Sequence, residues 1–467
     1  MTEIPQSASL APQVIPRSDH NISRADISKN ALKVLYRLKD SGYQAFLVGG
    51  SVRDLLLGRH PKDFDVATDA HPDDVRALFS NCRLIGRRFR LAHVRFGREI
   101  IEVATFRGLG TEESSAEHRE ISEETGRLIR DNVYGTIEED VWRRDFTANA
   151  LYYNIADYSV WDFTGGFADV HARRLRLIGD PETRYREDPV RMLRGARFAA
   201  KLGFSIDEES AVLIPRLAHL VDGVPSARLF DEFLKMFQAG HALASYRELQ
   251  RLGLFEHLFP ATARWLGPGG DARSRFIEEA LANTDVRVAE DRPVTPMFLL
   301  GVFLWGPVAD RAAALTADGM SDFQALALAA ADLTREQTER IAVPRRYSIP
   351  MREMLQLQTR FDKTRGVRAL AFLESKRFRA AYDLLLLRAS AGNADAELAR
   401  WWTTIQQLPP EQQRRELGLG PGGGSSAGSG TGGGGSAGSG NGRRRRRSGR
   451  RGGRGAESAT PDQFSPG

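Results

Sequence analysis

The chain is poor in cysteine: Cys82 is the only one among 467 residues. No internal disulfide can form, Cys-based zinc clusters are excluded, and a reducing cytoplasm is the compartment this composition fits. No apolar run approaches the roughly 20 residues needed to cross a bilayer, so no stable membrane insertion is expected. The amino terminus has Pro5, Pro12 and Pro16 among polar residues and lacks the basic-then-apolar pattern of a signal peptide. Net charge is also missing from most of the chain. The formal charge is +6, and from Leu417 onward eight arginines face only Glu457 and Asp462, which accounts for all of it. The remainder is electrically balanced and does not read as a basic slab.

What is present is organised around residues 45–65. A short apolar run, Phe46-Leu47-Val48, ends in Gly49-Gly50, and a helix from Ser51 to Leu57 follows. Asp63 and Asp65 then flank Phe64. Two glycines let backbone approach a phosphate closely, and the free N–H groups at a helix start attract anions. In a strand, residues two apart share a side, so Asp63 and Asp65 can hold divalent metal together. Either feature alone is commonly just a turn or a solvated loop. Within twenty-odd residues of each other, they point to phosphoryl or nucleotidyl transfer.

The expected fold is α+β: a mixed-sheet head, then an all-helical neck and body, then a disordered basic tail. A disordered leader is expected over 1–27, the catalytic head over 28–180, and the neck over 181–262. The helical body follows over 263–416 and the Gly/Ser/Arg-rich tail over 417–467. Strands are expected at Phe46–Val48, Phe64–Ala67, Arg83–Ile85, Leu91–Phe96, Ile100–Phe106, Leu151–Ile155 and Val160–Phe163. The polar stretch from Gly108 to Val133 reads as a mobile loop. After Asp180-Pro181 the pattern is helical, beginning with Arg184–Leu202. The tail carries Arg443, Arg444, Arg445, Arg446, Arg447, Arg450, Arg451 and Arg454 on a Gly/Ser tether. Such a segment attracts polyanions with salt-dependent affinity, or simply solubilises.

Two further stretches carry chemistry. In Arg143-Arg144-Asp145-Phe146-Thr147-Ala148-Asn149, a helix would place Asp145 and Asn149 on one face beside Arg144. Arg144 and Asn149 would then serve phosphates, with Asp145 as a third active-site acid or a ribose acceptor. Glu187-Asp188-Pro189 opens the helical body, with Asp188 a good cap before proline. At about 100° per residue, Asp188, Arg191 and Arg194 span a broad face, whereas Arg197 lies about 180° from Asp188. Aspartate accepts from an exocyclic amine and arginine donates to a ring nitrogen. The pair Asp188 and Arg191 should thus accept A or C and reject G and U. Glu102 sits beside Ile100 and Ala104 on one strand face, as a carboxylate near the metals or as an edge-strand charge.

In their order along the chain, FLVGGSVRDLLLG, DFDVAT, EVATFR, RRDFTANAL and EDPVRMLRGARFAAKLGF resemble the class II polynucleotide nucleotidyltransferases. The resemblance implies that Asp63 and Asp65 bind catalytic Mg²⁺, two ions in all, and that Gly49, Gly50 and Arg53 belong to a triphosphate loop. It gives Arg144 and Asp145 to nucleotide binding and catalysis, Asp188 and Arg191 to the base, and Arg194 and Arg197 to phosphate. Two branches share these motifs, poly(A) polymerases and CCA-adding enzymes. CRLIGRRFRLAHVRFG, the stretch Pro344 to Gln358 and the arginine-rich tail are similar to the former, and no His-Asp dipeptide of a phosphohydrolase module occurs. The expected activity is template-independent addition of AMP from ATP to RNA 3′ ends, with release of pyrophosphate. Arg87, Arg88 and Arg90 would contact RNA locally, and RNA-turnover proteins are admissible partners. CCA addition and a non-catalytic RNA-binding scaffold are the rival readings.

Overall fold

The computed structural model describes residues 11–86, 90–108, 133–268, 272–292 and 294–420, and the backbone alone at 119–121 and 128–131. Arg87, Arg88 and the eight tail arginines lie outside the described residues, as do residues 1–10 of the expected leader.

The head is built on one eight-stranded mixed sheet. Its strands are β1 (Gln13–Ile15), β2 (Ala45–Val48), β3 (Asp65–Thr68), β4 (Cys82–Ile85), β5 (Leu91–Phe96), β6 (Glu99–Thr105), β7 (Leu151–Asn154) and β8 (Val160–Asp162). They lie in the order β1-β8-β7-β2-β3-β6-β5-β4, with β3 and β6 parallel and the other pairs antiparallel. β2 is buried along its whole length, which explains its unbroken apolar run. Its side chains alternate between two cores. Ala45 and Leu47 join the large one, and Phe46 and Val48 pack with Phe106, Val141 and Tyr152 in a small one. Helix α1 (Lys29–Asp40) starts at Ser28, whose hydroxyl accepts from the Ala31 N–H at 3.0 Å. It buries Ala31, Val34, Leu35 and Leu38, the spacing of a single helix face. Helix α2 (Gly50–Leu56) follows β2 directly, and α3 (Pro72–Leu78) follows β3.

Three sequence expectations for the head are corrected. The leader is not featureless over 11–27: β1 pairs with β8, while Ile22 and Ile27 are buried and the His20 ring bonds the Tyr158 carbonyl. Prolines at 12 and 16 bracket this strand, and proline is tolerated at an edge. Within the stretch taken as a loop, the backbone of Arg119–Ile121 pairs antiparallel with Leu128–Asp131. The RRDFTAN segment is not a helix. α4 (Ile137–Arg143) ends at Arg143, Arg144 and Phe146 are extended, and only a 3₁₀ turn at Thr147–Asn149 remains.

The neck begins with α5 (Pro181–Glu187), capped by the Asp180 carboxylate on the Thr183 N–H at 2.8 Å with proline at its first position. The expected continuous helix from Arg184 is broken at Asp188-Pro189, because proline cannot continue the ladder. α6 (Val190–Leu202) then runs to Gly203, whose φ of 69° supplies the left-handed terminus. α7 (Glu208–Leu217), α8 (Ser226–Phe237) and α9 (Ala242–Arg251) complete it. Arg174–Leu175 pairs in parallel with Ser205–Ile206, stitching the end of the head to the neck.

The body is helical, through Ala272–Ala289, Pro296–Ala317, Asp322–Ile341, Arg345–Gln356, Phe378–Ser390 and Ala396–Gln407. Phe303 of the body packs on Phe259 of the neck at 4.5 Å and on Phe237 at 5.1 Å, so one core runs through both. Pro296–Ala317 corrects the reading that no segment is long and apolar enough to span a bilayer: it has 22 residues, and its 18-residue window reaches a mean hydropathy of 1.4. Its apolar window is 61% buried inside the molecule, as the central helix of the body. Leu417, placed in the tail by composition, is fully buried, and its carbonyl accepts from the Gly366 N–H at 2.7 Å.

Candidate active site

A cleft of about 960 Å³ lies between head and neck. Gly49, Gly50, Arg53, Asp63, Asp65, Arg144, Asp145, Asn149, Asp188, Arg191 and Arg194 all line it. Sequence segments more than a hundred residues apart thus meet in one place.

The floor comes from the turn after β2. Gly49 has φ of 71°, which an L-residue with a side chain adopts only under strain. A Cβ there would lie 3.8 Å from the Arg144 guanidinium and 4.0 Å from the Asp65 carboxylate. The turn therefore passes between a half-buried cation and a candidate active-site acid. Asp65 opens β3 opposite Val48, and on its other side stands in parallel register with Glu102. Burial pushes the Asp65 carboxyl up to about 6, with the charges of Glu102 and then Asp63 adding to the effect and Arg144 opposing it. Asp63 precedes the strand and is exposed at the cleft, while Phe64 between them is buried.

Arg144 is held from three sides. Its Nε donates to the Tyr152 hydroxyl at 2.8 Å, its Nη2 to Asp140 at 3.0 Å, and its Nη1 to the Asn149 carbonyl at 3.4 Å. Burial opposes its charge, but Tyr152 and Asp140 more than offset this and hold its pKa above the usual guanidinium value. The Asp140 to Arg144 spacing of four was visible in the sequence as a helix pair, and its role was missed. Arg53 is buried and donates to Asp54 at 2.7 Å and to the Asn149 side-chain oxygen.

Glu102 and Arg197 sit outside the cleft lining, and Asp145 lines it with its carboxylate already engaged. Both Asp145 oxygens are engaged: one takes the Phe146 N–H at 2.8 Å, the other two donors from Arg194 at 2.7 and 2.5 Å. Burial pushes that carboxyl up, yet the Arg194 charge and these hydrogen bonds prevail and hold it below the ordinary range. It is not drawn into the acidic field at Asp65, which comes from Glu102 and Asp63. Glu102 does not line the cleft; its side chain is exposed and lies 3.4 Å from His93. The supposed apolar face around it is also solvent-facing, with Ile100 37% exposed, because Ile101, Val103 and Thr105 take the buried side. Arg197 does not line the cleft and is consumed by buried Glu232 at 3.0 Å, which does line it.

On the neck, Asp188 accepts from the Val190 N–H at 3.3 Å and from Arg228 at 2.8 Å. Arg191 donates to Glu187 at 2.7 Å and to the Arg184 carbonyl at 2.8 Å. Arg90 is exposed and lies 3.4 Å from Asp73. Arg228, Glu232 and Arg184 were not singled out by sequence, since each acts through a residue distant along the chain or through a helix break.

The chain is similar to known proteins along most of its length. Residues 45–176 match the poly A polymerase head domain, 203–266 the probable RNA and SrmB-binding site of polymerase A, and 318–452 the polymerase A arginine-rich C-terminus. Poly(A) polymerase I of Salmonella typhi is 52% identical over 407 residues, 86% of this chain and 87% of that protein. The Haemophilus influenzae poly(A) polymerase I is 46% identical over 86% of this chain and 91% of its own. A CCA-adding enzyme of Lactobacillus helveticus is 36% identical over only 48% of this chain and 53% of its own. Among solved structures, the Thermotoga maritima CCA-adding enzyme complexed with tRNA shares the fold, with a TM-score of 0.56 at 20% identity over 85% of this chain and 86% of that one.

Proposed function

Since the chain belongs to the poly(A) polymerase I family of class II polynucleotide nucleotidyltransferases and is thereby a template-independent poly(A) polymerase, we propose how its own residues perform that reaction with ATP. The RNA 3′-hydroxyl oxygen bonds to the α-phosphorus as the bond from that phosphorus to the pyrophosphate oxygen breaks. Phosphoryl chemistry of this kind needs positioning and charge stabilisation rather than a protein nucleophile.

The observation that carries the reading is the convergence of Asp63, Asp65, the Gly49 turn and Arg144 with Asp188 and Arg191 in one cleft. Asp63 and Asp65 fit Mg²⁺. The raised Asp65 carboxyl marks negative charge that the Arg144 guanidinium only partly offsets. Among the described residues no cluster of three or more His, Cys, Asp or Glu makes a ready-made metal cage. That suits magnesium, which takes one or two carboxylates and completes its shell with substrate phosphates and water. When bound, two such ions supply neutralisation of the attacking and leaving oxygens.

The chain itself provides orientation. The Gly49-Gly50 turn brings backbone against the triphosphate, and Arg144, fixed by Asp140 and Tyr152, presents a pre-set cation beside it. Asp188 accepts from the adenine amine and Arg191 donates to the neighbouring ring nitrogen, which excludes G and U. Exclusion of the smaller cytosine falls to the dimensions of the neck pocket. Asp145 and Arg194 act together as the head–neck fastening. Growing RNA leaves along the helical body, and the basic tail serves as its tether.

Primer extension tests this with ATP or CTP alone, on a generic oligoribonucleotide and on tRNA lacking its terminus. Long A tails on the generic RNA are expected. Limited CTP addition confined to tRNA would overturn the assignment of the base pocket.

A further inference from the structure

Arg184 lies on α5, one turn before Glu187, and its side chain is almost wholly buried, 2% exposed. Its two terminal nitrogens reach in different directions. Nη2 donates to the Arg144 carbonyl at 2.6 Å, on the head. Nη1 donates to a Glu187 oxygen at 2.8 Å, on the neck. That same Glu187 oxygen accepts from Arg191 at 2.7 Å, and Arg191 also reaches the Arg184 carbonyl. An unbroken path of hydrogen bonds thus runs from the Arg144 backbone through Arg184 and Glu187 to Arg191.

A buried guanidinium is an expensive way to fill space. Apolar side chains of similar volume often serve stability as well or better. Here the Nε of Arg184 is buried without a hydrogen-bond partner, so the residue is not optimised as a fold-holding device. What its planar fork does achieve is simultaneous contact with two domains, which a lysine cannot reproduce.

We propose that Arg184 is a positioning residue that couples base recognition to the triphosphate site. Through Glu187 it aims Arg191 at the base edge, and through the Arg144 carbonyl it fixes the segment from which Arg144 and Asp145 project. A base seated on Arg191 therefore meets a triphosphate site already in register, and a mis-seated base disturbs both. This rests on the assignment of Arg191 to the base and Arg144 to the phosphates.

The test uses full-length enzyme extending a short oligoribonucleotide, with kcat and KM measured separately for ATP and CTP. The variants are R184M, R184K, E187Q, R191M and the double R184M/R191M. R184M should lower kcat/KM for ATP about tenfold or more and narrow the ATP:CTP ratio. R184K keeps the charge but not the two-way reach, so it should not restore that ratio. If both residues act along one path, the double variant falls no more than about threefold below R191M alone. Multiplying losses in the double variant, or a wild-type ATP:CTP ratio in R184M, would overturn the coupling. Should R184M not fold, as judged by thermal melting, E187Q and R184K decide: an unchanged ratio in both refutes the proposal. An R191M enzyme that still uses ATP normally removes the base assignment itself, and the coupling with it. An impaired R191M beside normal E187Q and R184K removes only the coupling.

Discussion

Arg194 on the neck and Asp145 on the head share one carboxylate oxygen, reached by Nε at 2.7 Å and by Nη2 at 2.5 Å. Both residues line the cleft, and Phe146, next to Asp145, packs edge-on against Phe198 one turn further along α6. Head and neck are thus fastened by a half-buried ion pair with an aromatic contact beside it.

Breaking that fastening from the arginine side should be the costlier change. Arg194→Met leaves the Asp145 carboxylate buried without its cation and should lower unfolding free energy by about 3–5 kcal/mol. Asp145→Asn leaves an arginine that is 34% exposed and can turn to water, so its cost should be smaller. Urea unfolding of the full chain checks the order, and an R194M protein as stable as wild type would contradict it.

The same pair fixes the sign of an acid effect. Asp145 has a folded pKa below its unfolded value, so its stabilisation is complete above the unfolded carboxylate range, near pH 4. It is lost as pH falls through the lower folded value. Wild type should therefore lose stability more steeply than D145N below about pH 4, as read by thermal melting across an acid series. Parallel profiles would show that the carboxylate is not held by Arg194 in solution.

Asp65 should behave oppositely. Its carboxyl is raised to about 6 in the folded chain, so metal-free protein should gain stability as pH falls from about 6 to about 4. Added Mg²⁺ should abolish that gain. D65N should melt higher than wild type in chelator, by about 1–3 kcal/mol, while AMP incorporation falls by at least about a hundredfold. D63A should lose activity likewise. Near-normal incorporation by either variant would end the metal assignment.

Arg197 offers a contrast within the same helix. It holds buried Glu232 at 3.0 Å and stacks on Phe198 at 4.3 Å, so it supports two residues of the cleft wall without lining the cleft itself. R197M should destabilise by about 1–3 kcal/mol, since buried Glu232 would keep only the exposed Lys235 as its cation. Its KM for ATP should move less than about twofold. A large rise in KM with an unchanged melting temperature would return Arg197 to the phosphates.

For the tail, deletion should begin at Pro421, since Leu417 is buried and Leu419 packs on the core. Loss of residues 421–467 removes eight arginines. The slope of log affinity for RNA against log salt should become shallower, by up to about 0.7 for each phosphate that the tail neutralises. Addition of a single AMP should be spared. An unchanged slope in a binding titration would exclude the tail from RNA binding.

Local chemistry was enough to read much of this protein from its sequence. The apolar run before Gly49-Gly50 reads as a buried strand ending in a turn, whereas Asp63 falls just ahead of the strand that Asp65 opens, so strand alternation does not set its side. The Asp-Pro steps at 180–181 and 188–189 announced helix starts. Such features depend on neighbours a few residues away. What the tertiary structure decided was the pairing of charges. Asp145 and Arg194 are 49 residues apart, Arg197 and Glu232 are 35, and Arg184 reaches back 40 to Arg144. Which arginine meets the ligand and which is consumed by a buried carboxylate depends on where the head docks on the neck. No local pattern encodes that, because an arginine is equally well satisfied by a phosphate or a carboxylate, and only packing determines which one comes within reach.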